Sequence, residues 1–300
     1  MSVKCEEKYF KSSTGNVNVR YLVWENPDAP VKGIYLIAHG VCEHIDRFDG
    51  LARSLAEKGF AVYGEDHLGH GKTAPAIEYI GQLPAQADKH IVDDMHILYH
   101  TAIEDHPGVP VFMLGHSMGS FVAKIYSAKY GNTLDGVVYC GSGDYTDGLR
   151  FLVYPLSVIF NIVGRDKTWL VENNMVTTAW LSRDRENRRL YLDDEYITKY
   201  YSLGLIETLG KLAADSSGLR WAKKVPKNLP IFMISGTEDI VGFCTIGVNL
   251  MNLFLKQTGH TNLSKKFYFP YRHEILREGK IKEKVWNDVY EWTMKNWPVK

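Results

Sequence analysis

Ser117 stands between two glycines in Gly115-His116-Ser117-Met118-Gly119, a G-x-S-x-G pattern. A serine hydroxyl attacks an acyl carbon when it sits exposed on a tight strand-to-helix turn and a base is ready to take its proton. Two further residues could complete that chemistry. Asp239 lies in Ser235-Gly236-Thr237-Glu238-Asp239, and His273 lies in Tyr271-Arg272-His273-Glu274. The order serine, acid, histidine suits acyl transfer: His273 accepts the serine proton, and Asp239 orients the imidazole. Glu238 competes as the acid and His260 as the base, although His260 precedes the last strand and falls on the wrong side of a sheet. The tetrahedral oxyanion needs two backbone donors. Met118 N–H follows the nucleophile, and Val41 N–H lies in His39-Gly40-Val41-Cys42-Glu43-His44.

A G-x-S-x-G pattern occurs by chance in about one chain in ten of this length, so the elements around it must decide. Val109 to Leu114 reads as a buried strand and Ser120 to Tyr130 as a helix ended by Gly131, the context an elbow requires. Residues 3–11 and 17–25 read as a hairpin. Strands follow at Gly33–Ala38, Phe60–Tyr63, Val137–Cys140, Leu229–Ser235 and Lys266–Phe269. Helices are expected at Asp49–Lys58, Ile91–His106, Thr245–Lys256 and from about Lys282 to Asn296. Strands alternating with helices predict an α/β fold with a mostly parallel, eight-stranded sheet covered on both faces. The rhythm breaks over residues 145–225, which are helical, aromatic and charged with no clear strand. The division is therefore a core from 1–144, a helical cap inserted after the sixth strand over 145–225, and the rest of the core from 226–300.

The chain has 300 residues, 45% of them hydrophobic, with 35 basic and 35 acidic side chains. A zero formal charge gives no electrostatic reason to expect nucleic acid. The first residues are polar and no apolar run reaches a membrane span. Cys5, Cys42, Cys140 and Cys244 are scattered, which favours free thiols in a cytoplasmic protein. His67 and His70 lack the further ligands that would complete a metal site. Gly69-His70-Gly71-Lys72-Thr73 has Asp66 where a phosphate loop needs glycine, and no dinucleotide fingerprint follows the first βα strand. No cofactor or metal is expected.

With these motifs assembled, the chain resembles the α/β-hydrolases, and within them the monoacylglycerol lipase and lysophospholipase group. His39-Gly40-Val41-Cys42-Glu43-His44 is similar to that group's HGxxEH loop, and Asp66-His67-Leu68-Gly69-His70-Gly71 to its DHxGHG segment. Gly115–Gly119 matches GHSMG, residues 235–242 resemble SGxxDPVG, and Arg272-His273-Glu274-Ile275-Leu276 matches RHEIL. The resemblance implies Ser117, Asp239 and His273 as the triad, with Asp239 preferred over Glu238, and Val41 and Met118 as oxyanion donors. It implies hydrolysis of carboxylic esters of lipids, a monoacylglycerol or lysophospholipid, with an amidase, peptidase, thioesterase or acyltransferase on the same fold as alternatives and a non-catalytic binding protein as the last of them. Cys42 stands where many relatives have glycine, and Ile240 replaces the usual proline.

Phe151 to Val163 is apolar nearly all round yet too short to cross a bilayer. Two readings stay open for it. It packs the cap onto the core, or it walls an acyl-chain tunnel and touches a membrane surface from which lipid is drawn. On the second reading Phe151, Leu152, Leu156, Ile159 and Trp180 contact substrate, with Trp169, Met175 and Leu181 extending the wall. The protein is then peripheral to a membrane.

Overall fold

The computed structural model describes residues 3–170, 174–198 and 200–298, with the backbone alone at 169 and 170. Its main sheet contains β1 (Lys4–Lys11), β2 (Asn18–Glu25), β3 (Gly33–Ala38), β4 (Phe60–Glu65), β5 (Val111–His116), β6 (Gly136–Cys140), β9 (Ile231–Gly236) and β10 (Leu263–Tyr268). The spatial order is β1-β2-β4-β3-β5-β6-β9-β10. β1 and β2 form the expected hairpin, β2 meets β4 antiparallel, and every later pairing is parallel. The parallel strands β3, β4, β5, β6 and β9 are buried along their whole length because each face has its own helical cover. The edge strand β10 is half-buried and carries Lys265 and Lys266. Ile34, Leu36, Met113, Val137, Tyr139, Ile231 and Met233 point into one core. There they meet α2 (Ala87–Asp105), α3 (Met118–Tyr130) and α8 (Ile246–Gln257). Their neighbours Tyr35, Ile37, Phe112, Leu114, Val138, Phe232 and Ile234 point the other way, onto α1 (Asp49–Glu57) and α9 (Lys282–Lys295). Each fully buried aliphatic side chain contributes about 1.5–3 kcal/mol. Parallel strands in register carry their C-terminal ends to one edge, and Ser117, Asp239 and His273 all follow such ends.

Between β6 and β9 lie α4 (Leu149–Val163), β7 (Thr168–Leu170), α5 (Arg185–Asp193), β8 (Tyr200–Ser202), α6 (Leu203–Asp215) and α7 (Gly218–Ala222). The expectation of no strand here is corrected. Thr168 pairs with Ser202 and Leu170 with Tyr200 in an antiparallel two-stranded sheet. Three residues per strand are too few to show a period of two. α2 also begins earlier than its apolar period suggests. Gln86, at φ 59°, turns the chain into the helix four residues before the first expected position, Ile91.

The two stems of this insertion are fastened to each other. The Asp144 carboxylate accepts from Gly218 N at 3.1 Å, and Asp147 accepts from Leu219 N at 3.1 Å. Ser217 Oγ accepts from Tyr145 N at 3.2 Å. Beneath them Lys124 of α3 is fully buried. Its Nζ donates to Gly143 O at 2.9 Å and lies 4.5 Å from the centre of the Trp221 ring. Burial pulls the Lys124 pKa down to about 8, against the opposing pull of Asp144.

Candidate active site

The turn from β5 to α3 holds Ser117 at φ 56° and ψ −122°. A non-glycine residue there costs on the order of 1–3 kcal/mol, so the surroundings must enforce it. They do so by close approach. A side chain at Gly115 would overlap the Gly119 carbonyl, and one at Gly119 would overlap the Ala38 carbonyl of β3. Ser117 N is tied to Cys140 O at 3.0 Å, which anchors the turn to the neighbouring strand.

Asp239 and His273 meet across the next two strand ends. His273 Nδ1 lies 2.9 Å from Asp239 Oδ1 and 3.0 Å from Oδ2. Val241 N at 2.9 Å and Ser235 Oγ at 3.1 Å also donate to that carboxylate. A buried carboxylate with this many donors stays ionised. Burial raises its pKa, but His273 and the other donors outweigh burial and the net shift is downward. For His273 burial lowers the pKa, and the Asp239 charge more than reverses it, so the net shift is upward. With Nδ1 occupied by Asp239, Nε2 is the free ring nitrogen, and it has no hydrogen-bond partner among the described residues. His273 and Ser117 line one narrow cavity of about 40 Å³, together with Gly40, Val41, Cys42 and Trp180. Among the described residues no direct bond joins Ser117 Oγ to His273, a separation common before substrate arrives.

The loop after β3 is held by Glu43. Its Oε1 accepts from Gly40 N at 2.7 Å and lies 3.0 Å from His116 Nδ1. Its Oε2 accepts from Arg277 at 2.6 Å and from Arg47 at 3.2 Å. The same two arginines bind Glu274, at 2.7 Å and 3.1 Å. Burial raises both carboxyl pKa values, but Arg277 leads the groups that outweigh it. Glu43 is held well below the usual range and Glu274 down to about 2. These four residues and His116 were not singled out from sequence, although Glu43, His116 and Glu274 lie inside the quoted motifs. Val41 N–H follows directly on the anchored Gly40 and donates to no acceptor among the described residues.

The rival groups are engaged elsewhere. Glu238 pairs with Arg183 at the surface, and His260 is bonded to Val225 O and Leu255 O. His39, His67 and His70 pack together, with His39 and His67 ring centres 4.1 Å apart. Burial pushes all three pKa values down, that of His67 to about 3, so this cluster is neutral and structural. Asp66 accepts from the buried Arg20 at 2.9 Å. Cys42 adopts φ 65°, in the left-handed region that favours glycine. Burial pushes its thiol up to about 12.

The structure separates the residues expected to contact substrate into two groups. Phe151, Leu152, Leu156 and Ile159 do not line the cavity at Ser117. They lie on the outer surface of α4, where Phe151 is 85% exposed and Ile162 81%. The helix buries only Ser157, so its apolar residues turn outward. Trp180 and Leu181 do line the cavity, and the Trp180 ring centre is 5.3 Å from that of His273. Met175 is exposed, and the side chain of Trp169 lies outside the described residues.

Comparison with known proteins agrees with this architecture. Residues 29–280 match the family described as serine aminopeptidase, S33. The chain is 27% identical over 290 residues to a monoacylglycerol lipase of Mycolicibacterium smegmatis, covering 94% of each protein. It is 24% identical over 294 residues to monoglyceride lipase of Homo sapiens, covering 92% of this chain and 88% of that one. Among solved structures, a thermostable carboxyl esterase from Bacillus coagulans in complex with glycerol superposes with a TM-score of 0.89 at 28% identity. That match covers 98% of this chain and 99% of the esterase.

Proposed function

The chain belongs to the serine aminopeptidase S33 family, and within it we propose a carboxylic ester hydrolase that cleaves monoacyl lipid esters, monoacylglycerols or lysophospholipids. The observation that carries this reading is the Asp239–His273 pair facing the strained Ser117 turn in one cavity. Ser117 Oγ attacks the ester carbonyl carbon while His273 Nε2 takes the hydroxyl proton. The carbonyl electrons move onto oxygen, where the Val41 and Met118 N–H groups stabilise them. The carbon–oxygen bond to the alcohol then breaks and His273 returns the proton to the leaving oxygen. Water attacks the acyl-enzyme by the same route, giving the free fatty acid and regenerating Ser117. Asp239 holds the imidazole with Nε2 toward the serine and stabilises the imidazolium.

An aminopeptidase needs a free carboxylate to hold the substrate ammonium. The two carboxylates that line the cavity, Glu43 and Glu274, are both spent on Arg47 and Arg277. That favours a neutral ester over an amino-terminal peptide. Residues 145–225 serve as a cap, and the outward apolar face of α4 rests on the lipid surface that holds the substrate. No helix among the described residues is long and apolar enough to cross a membrane.

Ser117→Ala should abolish hydrolysis of a monoacylglycerol while the protein keeps its melting temperature; retained turnover overturns the assignment. A panel of monoacyl esters against aminoacyl amides separates the two substrate classes. Binding of Ser117→Ala to phospholipid vesicles, lost in Phe151→Asp with Ile162→Asp, tests the surface contact.

A further inference from the structure

His96 and His100 lie one helical turn apart on α2, on the side that packs against the C-terminal end of α3. Residues at this spacing share a helix face, the arrangement by which two histidines on a helix bind one metal ion. Their Nε2 atoms face each other at 3.2 Å. Two imidazoles on one ion, each about 2.0–2.1 Å from it, hold their nitrogens about 2.9–3.4 Å apart in octahedral or tetrahedral geometry.

The hydrogen bonds behind His96 determine which of its nitrogens is free. Thr133 Oγ1 donates to Tyr130 O at 2.7 Å, so it receives the Tyr126 hydroxyl proton across 3.2 Å. The Tyr126 oxygen must then accept from His96 Nδ1–H, at 3.1 Å. His96 Nε2 therefore presents its lone pair toward His100. Such a hydrogen bond to the remote ring nitrogen is what orients a metal-binding imidazole. The ring itself is immobilised between flat aromatic surfaces, stacked on Tyr130 at 3.8 Å and 6° and parallel to Tyr99 at 5.5 Å and 5°. The charged neighbours Asp93 and Lys129 neutralise each other at 2.5 Å, and Tyr130 OH also donates to Asp93. His100 is exposed, so an ion reaches the pair directly from solvent.

We propose that His96 and His100 form a two-imidazole site for a borderline divalent cation such as Ni²⁺, Cu²⁺ or Zn²⁺, separate from the Ser117 cavity. Imidazole nitrogen suits these metals better than Mg²⁺ or Ca²⁺. Without the ion, the His100 Nε2 proton fills the space between the rings. On binding, that proton is exchanged through solvent to the exposed Nδ1 of His100, both rings stay neutral, and water completes the coordination. The ion clips one turn of α2 to itself, while Tyr126 and Tyr130 of α3 brace it from behind.

Titration of untagged full-length protein with NiCl₂ by calorimetry tests the site. We expect one equivalent to bind, with His100→Asn weakening binding at least tenfold and His90→Asn leaving it unchanged. Ester hydrolysis by His100→Asn should match the parent protein. Electron paramagnetic resonance of the parent protein with one equivalent of Cu²⁺ should show coupling to two nitrogens, a readout that does not depend on any variant folding. Equal Ni²⁺ affinity in parent and His100→Asn, no Ni²⁺ binding by the parent, or coupling to a single nitrogen overturns the proposal.

Discussion

Asn187, on α5 of the insertion, donates from Nδ2 to Glu274 Oε2 at 2.6 Å, and Glu274 is the chain neighbour of His273. The bond is one of several between the two segments. Glu274 N donates to Leu181 O at 2.8 Å, and Ser182 Oγ to Glu278 at 2.5 Å. Arg272 donates to Ala179 O, and Trp180 lies against the His273 ring. The stretch from 179 to 187 therefore holds the loop that carries the proposed base. A hydrogen bond to a buried charge contributes about 1.5–3 kcal/mol. Asn187→Leu should lower stability by about that much in urea unfolding, because Glu274 keeps only its arginines. An unchanged midpoint would show that the bond carries no weight.

Asp239→Asn keeps the shape of the loop but removes the charge and allows the wrong imidazole tautomer. In a serine–histidine–aspartate arrangement that loss lowers kcat by about 10⁴-fold. Steady-state hydrolysis of a soluble short-chain ester would measure it. A fall of less than tenfold would remove Asp239 from its proposed role.

The proposed base must be neutral to accept a proton. Burial lowers the His273 pKa and Asp239 raises it further, so the net value lies above the ordinary 6.5. Activity should therefore be full above that raised value and fall as pH drops through it, with an acid midpoint of kcat/KM above 6.5. Asp239→Asn should move the residual midpoint downward. An acid limb centred below 6.5 in the parent protein would contradict the charge pairing.

Thiol chemistry should divide the four cysteines. Cys5 and Cys244 are exposed, and Cys42 and Cys140 are buried. Only the thiolate reacts. Burial, aided by Asp49, pushes Cys5 up to about 11, and burial pushes Cys42 up to about 12. Iodoacetamide at neutral pH should modify Cys244 first, Cys5 more slowly, and Cys42 and Cys140 only after unfolding. Peptide mass mapping over time reads the order. Early modification of Cys42 would mean that the loop after β3 opens in solution.

The sheet and the serine, aspartate and histidine positions were legible because each rests on a local signal. Ser117 and Asp239 each follow a buried strand, with apolar runs Val111 to Leu114 and Ile231 to Ile234, and His273 follows the half-buried edge strand β10. The Glu43–Arg277 pair had no such signal, since its partners are 234 residues apart and meet only when the sheet forms. β7 and β8 were invisible for the same reason, being three residues long and paired across the insertion. The apolar run from Phe151 lies in the segment that reads as helical, but its direction stayed open between packing onto the core and facing a membrane surface. A helix that is apolar nearly all round does not reveal which side faces the protein.

The fastening of Asp144 to Gly218 and of Asp147 to Leu219 gives the insertion a closed neck. The chain departs and comes back at nearly one place beside the C-terminal end of β6, before α7 leads it across to the start of the parallel strand β9. Closing a loop costs only about 0.6 kcal/mol more for each doubling of its length. The segment beyond the neck can therefore lengthen, shorten or be exchanged for another at small thermodynamic cost to the sheet. Descent within the family can then change the outer segment and the sheet-borne residues at different rates, with the neck as the seam between them.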